Sequence, residues 1–180
     1  TGVDNMGMYR VQLLEPKKAA MHIHPHHDGA RNWRLYRARG EPMPAAIVLG
    51  GEPVLTYAAT APLPPDVSEL FFAGFLAGRA IETVPCRTIP LQVPANAEIV
   101  IEGYVAPDEL VVEGPFGDHT GYYSMPEMYP RFTVTAITMR ENAIYPATIV
   151  GIPPMEDYYM GLATERIFLP AIQNWLPEVV

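Results

Sequence analysis

The sequence predicts an α+β domain built on an antiparallel β-barrel. Three observations carry this reading. Several short runs alternate or are β-branched, a few helical segments with readable ends lie between them, and twenty prolines crowd the connections. Residues 6–14 and 18–24 read as two strands parted by Glu15-Pro16-Lys17. Asp28 is placed to N-cap a helix from Gly29 to Arg39 that Gly40 ends, with Ala30, Trp33 and Tyr36 on one face. Ala45–Leu49 reads as a short buried strand, and Pro53–Thr60 as a short helix opened by its proline. Ser68 is placed to cap a second helix, Glu69–Ala77, closed by Gly78; Leu70, Phe71, Phe72, Phe75 and Leu76 make it apolar nearly all round, so burial is expected. Strands are expected near 80–85, 97–105, 130–139 and 144–150. A last helix starts near Tyr158, kinked by Pro170, with Phe168, Ile172 and Trp175 on one stripe.

Length and composition narrow the class further. The chain has 180 residues, 49% of them apolar and 18% charged, which suits one globular domain with a sizeable core. Twenty prolines and fourteen glycines fall short of the share that marks disorder. No apolar run approaches the roughly 18–20 residues that span a bilayer, and no basic-then-apolar leader is seen. The single Cys86 cannot form an internal disulfide, which fits a reducing, cytoplasmic setting. A formal net charge of −8 argues against nucleic acid as a partner. Thr1-Gly2-Val3-Asp4 leads straight into a motif and the chain stops on Val179-Val180, so an internal fragment of a longer protein is expected.

Two segments carry the chemistry. Asp4-Asn5-Met6-Gly7-Met8-Tyr9-Arg10 sets an arginine five residues after an asparagine, and Glu113-Gly114-Pro115-Phe116-Gly117-Asp118-His119-Thr120-Gly121-Tyr122-Tyr123 places carboxylates on both sides of a Gly-Pro-Phe-Gly bend. Arginine grips a carboxylate with two parallel N–H bonds. Two carboxyl groups in unlike surroundings are a common way of keeping one protonated. Glu113 and Asp118 stand an odd number of residues apart, so only a bend can bring both to one pocket. An acid substrate, an arginine to hold it and a carboxyl group to return a proton suggest decarboxylation. A structural ion-pair network around Arg10, and a turn whose Asp118 caps a backbone group, are the plainer alternatives.

A third segment, Met21–Ala30, holds His22, His24, His26 and His27 within six residues. Metal binding is one reading. The simpler one is a strand with alternate histidines facing solvent and two more in the following turn. Likewise Glu69 can serve the N-terminus of its own helix, and Asn5 can be an ordinary turn residue.

The Asn-x-Gly-Met-Tyr-Arg and Glu-Gly-Pro-Phe-Gly-Asp-His-Thr-Gly-Tyr-Tyr strings resemble the UbiD family of reversible decarboxylases that use prenylated FMN. The likeness continues through Met21–Ala30, Ser68-Glu69, Val93–Gly103 and Gly151-Ile152-Pro153-Pro154, and so covers essentially the whole chain. It implies a split β-barrel like that of flavin reductases over residues 1–157, with 158–180 beginning a helical linker toward a further C-terminal domain. It implies prenylated FMN as cofactor, contacted by Asn5, Met8, Tyr9, Arg10, His22, Ile23, His24, His27, Asp28 and Glu69. It also implies a metal set of Asn5, His26 and Glu69, whose oxygen-rich donors suit Mn²⁺ or Mg²⁺, with K⁺ as a further candidate. His27-Asp28-Gly29 departs from the family, where many members have a basic residue and two glycines near the flavin phosphate. Arg10, Glu113 and Asp118 would be the catalytic group: Arg10 orienting the substrate carboxylate, Asp118 donating the proton and Glu113 supporting it. The flavin would do the electronic work.

The substrate implied is an aromatic or α,β-unsaturated acid, and Pro153–Tyr158 resembles members acting on hydroxyaryl acids of ubiquinone or menaquinone synthesis. A homo-oligomer is expected. On the decarboxylase reading the fragment is expected to be inactive alone. The alternative from another class is a flavin-binding or oligomerisation domain without turnover; a metal-dependent hydrolase built on the histidines is the third.

Overall fold

The hairpin that opens the fold comes from a tight reversal. Strands β1 (Val11–Glu15) and β2 (Lys18–Met21) are joined by Pro16 and Lys17, and Lys17 takes the positive φ of 65° that so short a turn requires. The computed structural model describes residues 4–180; the expectation about Thr1-Gly2-Val3 lies outside the described residues. β2 pairs with β7 (Glu127–Met139), β7 with β6 (Ile99–Glu113), and β6 with β3 (Met43–Leu49), every pair antiparallel. The order is β1-β2-β7-β6-β3, and β4 (Thr83–Pro85) with β5 (Gln92–Pro94) makes a separate two-stranded sheet.

The long β6–β7 hairpin bends at two irregularities, between Glu102 and Gly103 and between Val105 and Leu110. Gly103 is required there, because a Cβ would stand 2.1 Å from the Thr133 carbonyl oxygen. The bent sheet wraps helix α1 (Asp28–Ala38). Ala30, Trp33 and Tyr36 of α1 pack with Met21, Ile23, Met43, Val105 and Phe132 in the main core, and the Trp33 indole donates to the Ala106 carbonyl at 2.9 Å.

Among the described residues no pairing joins β1 to β3, so the expected barrel is not closed. The two edge strands are short, β1 with five residues and β3 with seven. Other expectations shift too. Residues 6–10 belong to no strand, residues 144–150 form no strand, β5 was not foreseen, and β6 runs to Glu113 rather than stopping at 105. His27, not Asp28, holds the N-cap position of α1.

Helix α3 (Glu69–Ala77) ends at Gly78 in the left-handed conformation, as its sequence requires. Its full burial is not observed. Ala73, Leu70 and Phe72 pack on Leu55 and Ala58 of α2 (Pro53–Ala58), but Phe71 and Phe75 are 81% and 78% exposed. A nine-residue helix resting on a six-residue partner has only one face covered.

The chain divides into two compact units, one holding the chain to Gly114 with Pro126–Pro146, the other Pro115–Met125 with Ala147–Val180. In the second unit, residues 116–124 close into a small loop: Gly117 bridges Tyr123, Ser124 N donates to the Phe116 carbonyl at 2.8 Å, and Gly121 N to that of Asp118 at 3.0 Å. Helix α4 (Glu156–Gln173) carries Pro170 inside it and has no buried residue. No helix among the described residues is long and apolar enough to cross a membrane.

Candidate active site

Glu113 is the last residue of β6, and its side chain has no exposed surface. A carboxylate so placed requires a partner. Arg10, just before β1, provides it: Nε donates to Oε1 at 2.6 Å and Nη2 to Oε2 at 3.0 Å, a two-point grip. β1 and β6 are not neighbours in the sheet. The sheet curls enough for their ends to meet through side chains, and Gly114 N also donates to Gln12 Oε1 at 2.7 Å.

His22 completes this corner. Its backbone N donates to the Arg10 carbonyl at 3.1 Å, and its Nδ1 lies 3.5 Å from Glu113 Oε2. Burial first, and the Arg10 cation second, hold the imidazole below its ordinary range, so it is neutral at neutral pH. The ring rests on Tyr129, with centroids 4.0 Å apart. Tyr129 in turn donates to Glu127 Oε2 at 2.7 Å, and burial, then Glu127, push its phenol up to about 12. Glu127 is the residue directly across from Glu113 in the β6–β7 ladder. Opposed carboxylates repel; here Arg10 takes one and Tyr129 the other. The sequence reading missed Gln12, Glu127 and Tyr129. Glu127 and Tyr129 are two apart in one strand, and that spacing puts both on Glu113's side of the sheet.

The second corner gathers Asn5, Tyr9 and Glu69. Glu69 is 8% exposed, and rather than serving only its own helix it accepts from Asn5 Nδ2 at 3.0 Å and Met6 N at 2.9 Å. Tyr9 donates to Asn5 Oδ1 at 3.1 Å and accepts from Gly29 N at 3.1 Å, and burial raises its phenol above the ordinary value. A narrow cleft of about 30 Å³ beside them is lined by Asp4, Asn5, Asp28, Asp66 and Glu69, with Arg31 as its cation. His26 is not among the lining residues. Its ring packs 5.3 Å from that of His24, which also meets His27 at 5.3 Å; His27 stands edge-on to Tyr9 at 5.9 Å. Among the described residues no three His, Cys, Asp or Glu side chains form a metal-binding group. Met8 is exposed, whereas Ile23 is buried in the core with its side chain committed there.

Asp118 belongs to the second unit. It accepts from the N–H of His119 at 2.8 Å and lies 3.0 Å from that residue's Nδ1. His119 Nδ1 is also 3.9 Å from Asp157.

Comparison with known proteins gives the fold its class. The fold matches the UbiD-class enzyme HmfF from Pelotomaculum thermopropionicum, solved with prFMN, with a TM-score of 0.87 and 32% identity over 98% of this chain and 41% of that one. It also matches the vanillic acid decarboxylase of Sedimentibacter hydroxybenzoicus, with a TM-score of 0.82 and 33% identity over 86% of this chain and 33% of that one. Residues 1–153 match the family described as UbiD, 3-octaprenyl-4-hydroxybenzoate carboxy-lyase Rift-related domain. The chain belongs to the UbiD family. Uncharacterised proteins of Archaeoglobus fulgidus and Aquifex aeolicus are 52% and 54% identical over its whole length, and the chain spans 38% and 37% of theirs.

Proposed function

We propose that the chain is the cofactor-binding part of a carboxy-lyase that reversibly decarboxylates an aromatic or α,β-unsaturated acid without net oxidation, using prenylated FMN. The two-point grip of Arg10 on the buried Glu113, within a UbiD-family chain, is the observation that carries this. Prenylated FMN, when bound, supplies the electron sink for loss of CO₂. The protein's part is position and charge. Arg10 holds the departing carboxylate, and Glu113 keeps the guanidinium fixed and oriented. Asp118 is assigned the role of giving a proton to the carbon that has lost CO₂.

The donor chemistry supports a divalent cation beside the cofactor phosphate. A cleft with four carboxylates and one arginine repels a phosphate unless a cation lies between them. Asn5 and Glu69 offer the hard oxygens that Mn²⁺ or Mg²⁺ prefers, and His26 is the third ligand by family likeness. K⁺ remains part of the proposal, as do the split-barrel description, the cytoplasmic setting and the homo-oligomer. Met8, Tyr9, His22, Ile23 (through its backbone), His24, His27 and Asp28 are proposed to surround the flavin. The substrate proposed first is a hydroxyaryl acid of quinone synthesis.

The test uses the full-length protein, prenylated FMN and Mn²⁺ with a panel of hydroxybenzoates, hydroxynaphthoates and cinnamates, products being separated by chromatography. Cofactor-dependent loss of the carboxyl group from one acid class supports the reading. Flavin binding with every acid recovered intact supports instead a domain that binds flavin without turnover.

A further inference from the structure

Glu113 has two side-chain partners among the described residues, and both meet at one atom. Oε2 accepts from Arg10 Nη2 at 3.0 Å, and His22 Nδ1 waits 3.5 Å from the same oxygen, at the outer limit of a hydrogen bond. An acid gripped by Arg10 brings a second negative charge beside a carboxylate that has no contact with water. The guanidinium must then be shared between two anions. A buried carboxylate that loses part of its counter-charge needs another donor.

The imidazole is held where it can provide one. Its backbone is tied to the Arg10 carbonyl at 3.1 Å, and its ring lies on Tyr129 at a 33° tilt. Tyr129 cannot drift, because its hydroxyl is anchored on Glu127. The ring therefore has little freedom except to close the gap to Oε2.

We infer that His22 is a positioning residue: with its proton on Nδ1, it takes up the share of Glu113 Oε2 that Arg10 gives up when an acid ligand arrives. This rests on the reading that Arg10 receives the ligand's carboxylate. The His22–Tyr129–Glu127 stack is then a support for anion binding, and not packing alone.

Calorimetric titration of the cofactor-loaded full-length protein tests this, with benzoate as the probe and benzamide as its uncharged control. His22→Leu is expected to weaken benzoate by about tenfold or more, the scale of one hydrogen bond to a charged group, with benzamide unaffected. His22→Gln, which restores an N–H donor, should stay within about threefold of wild type. If His22→Leu does not fold, His22→Phe keeps the ring on Tyr129 and makes the same comparison. Equal benzoate affinity in wild type and His22→Leu, with Arg10→Ala having lost it, overturns the role of His22 and leaves that of Arg10 standing. A Gln variant as weak as Leu overturns it too. Wild type that ignores benzoate, or an Arg10→Ala variant that still binds it, overturns both.

Discussion

A single guanidinium does two jobs in this chain. Arg10 neutralises a buried carboxylate, so Arg10→Ala should destabilise the domain by about 3–5 kcal/mol, the cost of leaving a buried charge alone; urea unfolding measures it. Arg10→Lys restores charge but not the planar fork that meets both oxygens of Glu113. In the full-length protein we expect kcat/KM for the proposed reaction to fall on the order of 10²-fold, the scale of a slightly misplaced group; turnover near wild type would refute the two-point role. Asp118→Asn should lower kcat by about 10²–10⁴-fold, as for loss of a positioned acid, with flavin binding retained in an absorbance titration. Arg10 and Glu113 could be read as partners because a buried arginine demands a carboxylate. Tyr129 and Glu127 could not, since nothing local marks a tyrosine in a strand as the seat of a histidine more than a hundred residues earlier in the chain.

At the scale of elements, one buried carboxylate fixes a loop to the sheet. Glu102 in β6 accepts from Arg87 N, Thr88 N and Thr88 Oγ1 at 2.6–2.8 Å. Burial raises its pKa, but these donors overcome that and leave it below the ordinary 4.5. A depressed carboxylate contributes stability above its unfolded pKa and loses it as pH falls through the folded value. Glu102→Gln should therefore be less stable than wild type at neutral pH, with a shallower loss of stability on acidification below about pH 4.5; parallel acid-unfolding curves for the two proteins would contradict this. Helix ends with glycine were legible, as Gly78 shows, because the left-handed position asks for that residue. The extent of β6 was not, because its bulges interrupt the alternation on which a strand is recognised. The exposure of Phe71 and Phe75 was missed for a related reason: an all-apolar helix says that it needs cover, not where the cover comes from.

Across the whole molecule, the Asn5–Glu69 corner joins segments that the cores already hold in place. Chelation of the proposed ion should thus weaken cofactor binding far more than it lowers Tm. Unfolding on addition of chelator would make the ion structural and contradict the assignment. The sheet was legible as an antiparallel assembly, while the order β1-β2-β7-β6-β3 was not, because which strands become neighbours is set by long-range packing that no single strand's pattern reports. Because the chain spans 37–38% of the length of its curated relatives, these 180 residues alone are expected to release no CO₂. Enclosure from water is what such chemistry needs, and turnover by this chain at the rate of the full-length protein would show the site to be complete within it. The most direct test of the account is release of ¹³CO₂ from carboxyl-labelled hydroxyaryl acids by the cofactor-loaded full-length protein, wild type beside Arg10→Ala. The account predicts release by the wild type and almost none by the variant; equal release by both, or none by either across the panel, would contradict it.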